Sequence, residues 1–181
     1  VGCVWRGYIV ATTQRPTFNA TTRKGVGTYW NNELASTTFE PGSVMKGITL
    51  AAAIDTDNWN GDATYQSGTL KIGDRAVTDW NNGEGWGEIT YARGIAESSN
   101  VAMALTEQKM GADTWEKYIH RFRFLKSTDS GLNGEAAGTM QFKYPIEQAN
   151  TAFGQAISIT PLQMMQAYSA IAGNGEELKP H

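Results

Sequence analysis

The hydrophobic pattern breaks the chain into a short series of predicted elements. Gly7 to Thr13 (Gly-Tyr-Ile-Val-Ala-Thr-Thr) is rich in β-formers and stops before Pro16, which predicts a strand. Residues 19–32, heavy in Asn, Thr and Gly, predict a loop. Pro41-Gly42 then punctuates the backbone, and Ser43 is a residue type that starts helices. From Ile48 to Ile54 the chain is apolar on nearly every side, the mark of a helix buried in a domain centre. Gly68 to Trp80 predicts a hairpin turning at Gly73-Asp74, and Asn81 to Gly87 a glycine-rich loop between Trp80 and Trp86. Ile89 to Met110 predicts a helix in two pieces, broken around Ser98. Trp115, Tyr118, Ile119 and Phe122 fall at i, i+3, i+4 and i+7 of an amphipathic helix, and 127–141 reads as loop. Thr160-Pro161-Leu162-Gln163 spells a capped helix start with Pro at the first position and a capping box. Its expected buried stripe is Leu162, Met165, Tyr168 and Ile171 or Ala172, ending at Gly173-Asn174-Gly175. With no internal repeat and no low-complexity tract, the pattern predicts one domain of mixed α and β.

Composition narrows the chemistry. The 181 residues, 40% hydrophobic and 18% charged, suffice for a folded domain with a sizeable core. The net charge is −3 and Lys and Arg are scattered, which argues against a nucleic-acid partner. No apolar run approaches the roughly 18 residues that cross a bilayer. Arg6 and Gly7 interrupt any signal-peptide core near Val1, so a membrane anchor is expected outside this chain. Cys3 is alone, so no disulfide framework is expected, and it reads as a small inert hydrophobe in a strand. His120 and His181 are too few for catalytic zinc. His120, beside Arg121 and Arg123, reads as helix surface, and no Gly-x-Ser-x-Gly elbow exists for it to serve as a triad base. The chemistry calls for neither metal nor cofactor.

Ser43 and Lys46 are the first candidate pair. A serine hydroxyl needs a base to become a nucleophile, and a residue three positions on along a helix sits one turn away on the same face. Burial among Ile48, Leu50 and the alanines would disfavour the ammonium and make a neutral amine accessible. The first-turn amides and the positive end of the helix dipole suit a developing oxyanion. The same four residues also fit a bland reading, a serine cap followed by a solvated lysine. Ser98-Ser99-Asn100 is the second constellation: Ser98 could relay a proton, and Asn100 could donate and accept, yet Ser and Asn equally suit a cap or turn. Trp80 could wall a cleft or pack beside a turn, and Glu40 reads as a loop or first-turn residue rather than a partner in the site.

Taken in order, these residues resemble a known family. Phe39-Glu40-Pro41-Gly42-Ser43-Val44-Met45-Lys46 looks like the first active-site motif of class B penicillin-binding proteins, and Ser98-Ser99-Asn100 like the second. Residues 9–19 (Ile9 to Asn19) resemble the family's first strand and following loop. Phe153-Gly154-Gln155 and Ile159-Thr160-Pro161-Leu162-Gln163-Met164 resemble the approach to its last long helix. The resemblance implies an α+β fold of the β-lactamase and transpeptidase type, with helices packed on a mainly antiparallel sheet. It implies that Ser43 forms an acyl-enzyme with the penultimate D-alanine of a stem peptide and that Lys46 is the acylation base. Ser98 would pass a proton to the leaving amine; Asn100 would hold the substrate amide and orient Lys46. The Ser43 N–H would be one oxyanion donor, and Trp80 a substrate contact.

The implied partners are D-Ala-D-Ala stem peptides, β-lactam antibiotics, a glycosyltransferase and division proteins, at the extracytoplasmic face of a bacterial membrane. Neighbouring segments look most like division-type enzymes of Gram-positive cocci and lactobacilli. The family's third motif, Lys-Ser/Thr-Gly, is absent: Lys126-Ser127-Thr128 lacks the Gly and sits in the wrong region. Residues 1–181 are therefore expected to be a partial transpeptidase domain, inactive unaided. Three rival readings remain: a serine β-lactamase, which would need a deacylating carboxylate near Ser43; a β-lactam sensor, against which Asn100 argues; and an inactive fragment.

Overall fold

The structure, a computed structural model, describes residues 3–181, with side chains from Arg6 onward. The Cys3 side chain therefore lies outside the described residues. Contacts divide the chain into two compact units. One comprises the residues up to Phe39 with 122–138 and 159–181; the other comprises 40–121 and 139–158.

In the first unit, β1 (Cys3–Trp5) pairs antiparallel with β2 (Tyr8–Ala11), the centre of the strand predicted at 7–13. His181 runs beside it, donating its N–H to Gly7 O and accepting from Ile9 N–H, each at 2.8 Å. The loop expected at 19–32 contains one helical turn, α1 (Val26–Tyr29), and is followed by α2 (Glu33–Ser36), capped by Asn32 Oδ1 accepting from Leu34 N–H at 3.1 Å. A single turn carries too few residues to show a period, so the pattern cannot reveal it.

The second unit begins with a 3-10 turn, Gly42–Val44, that leads straight into α3 (Met45–Asp55). Met45, Ile48, Ala52 and Ala53 of α3 are fully enclosed, whereas Ile54 at its end is exposed. Next come β3 (Thr64–Gln66), β4 (Thr69–Ile72), β5 (Arg75–Thr78) and β6 (Glu88–Thr90), pairing as β3–β6 and as the β4–β5 hairpin. The hairpin turns at Gly73-Asp74 as expected; Gly73 has φ +63°, which glycine adopts without a Cβ clash. The two-piece helix predicted at 89–110 is α4 (Tyr91–Ala96) and α5 (Asn100–Met110), with Ser98 at the break and Ile89 in β6 instead. After α6 (Ala112–Arg121), which buries Trp115 and Ile119 but stops before Phe122, come β7 (Thr139–Met140), α7 (Pro145–Thr151) and β8 (Ile157–Ser158).

Helix α5 is the centre of this unit. Val101, Ala102, Met103 and Ala104 pack against Tyr65, Ile72 and Val77 from the strands and Ala149, Ala152 and Phe153 from the α7 end. Each fully buried Val or Met side chain contributes about 1.5–3 kcal/mol of transfer free energy. The remaining helix, α8 (Pro161–Ala172), returns to the first unit. Its capping box forms, with Thr160 N–H donating to Gln163 Oε1 at 2.8 Å and Gln163 N–H to Thr160 Oγ1 at 3.1 Å. Its buried stripe is not the one expected. Gln163, Gln166, Ala167 and Ala170 (i, i+3, i+4, i+7) are buried along with Leu162 and Met164, while Ile171 is exposed. Gln163 turns inward because its Nε2 donates to Lys126 O at 2.7 Å and Ala137 O at 2.8 Å, so a satisfied polar residue takes a core position.

The fold class is mixed α and β, with antiparallel pairing throughout the described residues. The strands form four two-stranded ribbons of two to four residues per strand, each paired with one neighbour. Among the described residues no helix is long and apolar enough to cross a membrane.

Candidate active site

The nucleophile candidate sits on a braced turn. Glu40 Oε1 accepts from Ala156 N–H at 2.8 Å, and Gly42 N–H donates to Gly154 O at 3.0 Å. This fixes the entry to the 3-10 turn and leaves Ser43 exposed at the head of α3. The Ser43 N–H belongs to the first turn, where amides have no partner within the helix and the dipole is positive. Lys46, one turn on, is buried at 6% exposure. Thr49 Oγ1 ties α3 to Ala152 O at 2.7 Å.

The second set arrives from the α4–α5 junction. Helix α4 closes with Ser98 N–H on Ile95 O (3.0 Å) and Ser99 N–H on Gly94 O (2.8 Å). Ser98 itself takes the left-handed conformation, φ +55°, which costs a non-glycine residue about 1–2 kcal/mol. Ser99 Oγ then caps α5 by accepting from Ala102 N–H at 3.0 Å. This reversal aims both oxygens of Ser98 at Lys46. Lys46 Nζ donates to Ser98 O at 2.5 Å, Ser98 Oγ at 3.0 Å and Asn100 Oδ1 at 2.9 Å. The amide of Asn100 is oriented by its Nδ2 donating to Thr78 O at 2.9 Å. Finally, Ser98 Oγ lies 3.1 Å from Ser43 Oγ.

Thus Ser43, Lys46, Ser98 and Asn100 are brought into one hydrogen-bonded group. The expected face-to-face meeting of Ser43 with Lys46 is instead routed through Ser98, whose hydroxyl bonds to both. The consequence is chemical. Two partners of Lys46, the Ser98 carbonyl and Asn100 Oδ1, can only accept; the third, the Ser98 hydroxyl, can donate or accept. An ammonium satisfies all three as donor. A neutral amine satisfies the two carbonyls and turns its lone pair to the Ser98 hydroxyl. Both states are fully bonded; apart from the one proton gained or lost by the amine, they differ in which way the hydroxyl protons of Ser98 and Ser43 point. A proton can therefore pass from Ser43 to Lys46 through Ser98 with the heavy atoms at rest. Burial pulls the Lys46 ammonium down from 10.5 to about 8, against the field of Asp79, which pushes it up. At pH 7 about one amine in ten is then neutral, several hundred times the share of an ordinary lysine.

Trp80 is two-thirds exposed, donates its indole N–H to Glu97 O at 2.8 Å and stands 6.0 Å from the Trp86 ring. With Thr78, Asn100, Asn150, Phe153 and Gln155 it lines a cleft of about 560 Å³. A separate cavity of about 340 Å³ between the β4–β5 turn and the start of α7 contains none of the four site residues. Ser127 and Thr128, in the run that does not supply the third motif, both donate their hydroxyls to Glu135. His120 is exposed on α6. Among the described residues no cluster of three His, Cys, Asp or Glu side chains is placed to hold a metal ion. The sequence reading missed Asp79 and Gly154 as supports of the site, because each acts on residues far along the chain.

A family model, the penicillin binding protein transpeptidase domain, matches residues 5–181. The chain belongs to this family, in its class B branch. Stage V sporulation protein D of Bacillus subtilis is 34% identical over 182 residues, covering 97% of this chain and 28% of that protein. PbpB of Mycolicibacterium smegmatis is 34% identical over 157 residues, covering 82% of this chain and 24% of the relative. Among solved structures, penicillin binding protein 2X from Streptococcus thermophilus superposes with a TM-score of 0.87 at 40% identity, covering 96% of this chain and 26% of that one. The transpeptidase chain thus spans about a quarter of the length of these relatives.

Proposed function

We propose that this chain carries the nucleophile-and-base part of a peptidoglycan D,D-transpeptidase. The observation that carries the reading is the unbroken path from exposed Ser43 Oγ through Ser98 Oγ to buried Lys46 Nζ. Ser43 Oγ attacks the carbonyl of the penultimate D-alanine of a stem peptide, and its proton passes through Ser98 to Lys46. The Ser43 N–H is one donor to the oxyanion. Collapse breaks the amide bond; the proton returns through Ser98 to the departing amine, and the terminal D-alanine leaves. A second peptide's amine attacks the ester, gives up its proton along the same path, and releases Ser43 with a new amide cross-link. A β-lactam enters at the first step, but its leaving nitrogen stays tethered after ring opening, so the acyl-enzyme persists. Asn100 and Trp80 line the cleft where the acyl chain lies.

A Lys-Ser/Thr-Gly strand, which in the family completes the oxyanion hole and binds the substrate carboxylate, is not among these residues, so turnover belongs to the intact protein. The β-lactamase reading is disfavoured by the carboxylates present. Asp79, 1% exposed, has both oxygens engaged by Ser99, Val101 and Gly68 and is not offered to a deacylating water, while Glu40 spends Oε1 on Ala156 N–H in bracing the turn before Ser43. The likeness to the streptococcal protein supports an enzyme of Gram-positive cocci or lactobacilli; work outside the cytoplasmic membrane with glycosyltransferase and division partners is our proposal from membership of the family. Intact-mass analysis of the whole protein after penicillin treatment tests the reading. One drug mass added, mapped to Ser43 and lost in Ser43→Ala, is expected; an unmodified protein or an adduct elsewhere refutes it.

A further inference from the structure

Three consecutive residues at the end of the β4–β5 hairpin grip the α4–α5 junction along its length. Thr78 O accepts from Asn100 Nδ2 at 2.9 Å, and Trp80 Nε1 donates to Glu97 O at 2.8 Å. Between them Asp79, 1% exposed, accepts from Ser99 Oγ at 2.8 Å and Val101 N–H at 3.1 Å through Oδ1, and from Gly68 N–H at 2.8 Å through Oδ2. Each residue of the hairpin end thus holds a different residue of the 97–101 segment. A buried carboxylate must be heavily hydrogen-bonded to be tolerated, and here its donors include the capping serine and a first-turn amide of α5, where the helix dipole favours a negative charge.

Resting on the transpeptidase reading above, we infer that Asp79 is a positioning residue for acylation: by pinning Ser99 and the first turn of α5 to the hairpin, it holds the strained Ser98 and Asn100 in register around Lys46. It acts through a second route as well. Burial is the larger influence on the Lys46 amine and lowers it; the negative charge of Asp79 acts against it, so the residue that holds the geometry also favours the ammonium. The other titratable groups near the junction are the phenols of Tyr65 on β3 and Tyr91 on α4, both raised by burial, and Glu97, which pairs with Arg93 at 3.0 Å. Glu107, farther along α5, is pushed up by burial to about 7.

The test compares Asp79→Asn and Ser99→Ala with wild type in the intact protein, reading the β-lactam acylation rate against pH. Asp79→Asn keeps the shape but loses the charge and one acceptor. It is expected to lower the plateau rate about tenfold or more and to move the acid limb down by roughly half a pH unit or more, because the ammonium loses a favourable field. Ser99→Ala keeps the charge and removes both the tether to Asp79 and the cap on Ala102 N–H, the two bonds by which Ser99 fixes the start of α5. It is expected to lower the plateau about tenfold with the limb unmoved, and it carries the positional claim should Asp79→Asn not fold. A wild-type plateau in Ser99→Ala, or a limb in Asp79→Asn that stays or rises, overturns the inference. NMR titration of 13C-labelled Lys46 in wild type and Asp79→Asn requires no turnover. A downward shift there supports the role of Asp79 even where Ser43 takes no adduct, and an unmoved titration refutes it even where acylation proceeds.

Discussion

Two hydroxyl clusters in this molecule surround a single charged side chain, and they are built to opposite ends. Around Glu135, in the first unit, the hydroxyls of Ser127, Thr128 and Ser130 and the amides of Thr128 and Ser130 all donate to the carboxylate. Its partial burial pushes the carboxyl up, but the donors from Ser130, Ser127 and Thr128 outweigh it and hold the group down at about 2. Every donor lies within eight residues in the chain. Around Lys46, in the second unit, the partners come from more than fifty residues away, and burial wins, bringing the amine to about 8. One cluster drives its charge away from neutral pH; the other brings it towards neutral pH and ends on an exposed hydroxyl. The difference teaches that a knot of serines around a charge is a sign of reactivity only when the charged group is left able to switch.

The comparison breaks most severely at the base. Lys46→Met keeps the bulk but removes the lone pair, and β-lactam acylation of the intact protein should fall about a thousandfold, measured by stopped-flow or by adduct mass against time. Acylation within tenfold of wild type would put the two clusters in the same structural class. Next, Ser98→Ala removes the bridging hydroxyl while leaving the Ser98 carbonyl and Asn100 on Lys46. Acylation should fall about a hundredfold in the same assay, since Ser43 and Lys46 have no other hydroxyl between them.

Gly154→Ala should act on the frame instead. The new Cβ would stand 2.2 Å from Gly42 O at a residue whose φ is +80°, so the turn before Ser43 must shift. A loss of about 2 kcal/mol or more in denaturant unfolding is expected, with slower acylation alongside. The smallest effect belongs to the structural cluster. Glu135→Gln should cost on the order of 1 kcal/mol at pH 7, reduced by solvent screening, with acylation within about twofold of wild type. Because the folded-state value is depressed, that stability is present above about 4.5 and is lost as pH falls towards 2. Urea melts of wild type and variant should therefore converge on acidification.

What the sequence shows and hides follows the same division. The helix at Thr160-Pro161-Leu162-Gln163, the Gly73-Asp74 hairpin and the break at Ser98 were legible because caps, turns and helix breaks are local signals. Spacing and the apolar run that follows offered Ser43 and Lys46 as a pair beside the bland reading of a cap and a solvated lysine, and the direct meeting they predicted is routed through Ser98 instead. The buried face of α8 was not, since glutamines occupy it and only the carbonyls of Lys126 and Ala137 explain why. Nor was α7, which starts at Pro145 with Glu147 accepting from the Lys143 and Tyr144 amides, a capping signal in a segment with no apolar period. Asp79 was hidden for a deeper reason. An aspartate at a strand end looks the same whether it faces water or three donors, and its donors lie at 68 and at 99–101.

The most direct measurement of the central claim, a buried amine taking the Ser43 proton through Ser98, is the β-lactam acylation rate of the intact protein between about pH 6 and 10. The rate should rise tenfold per unit at low pH and level off through about 8, where Lys46 loses its proton. A flat profile, or a rise continuing to the 10.5 of an ordinary lysine, would contradict it.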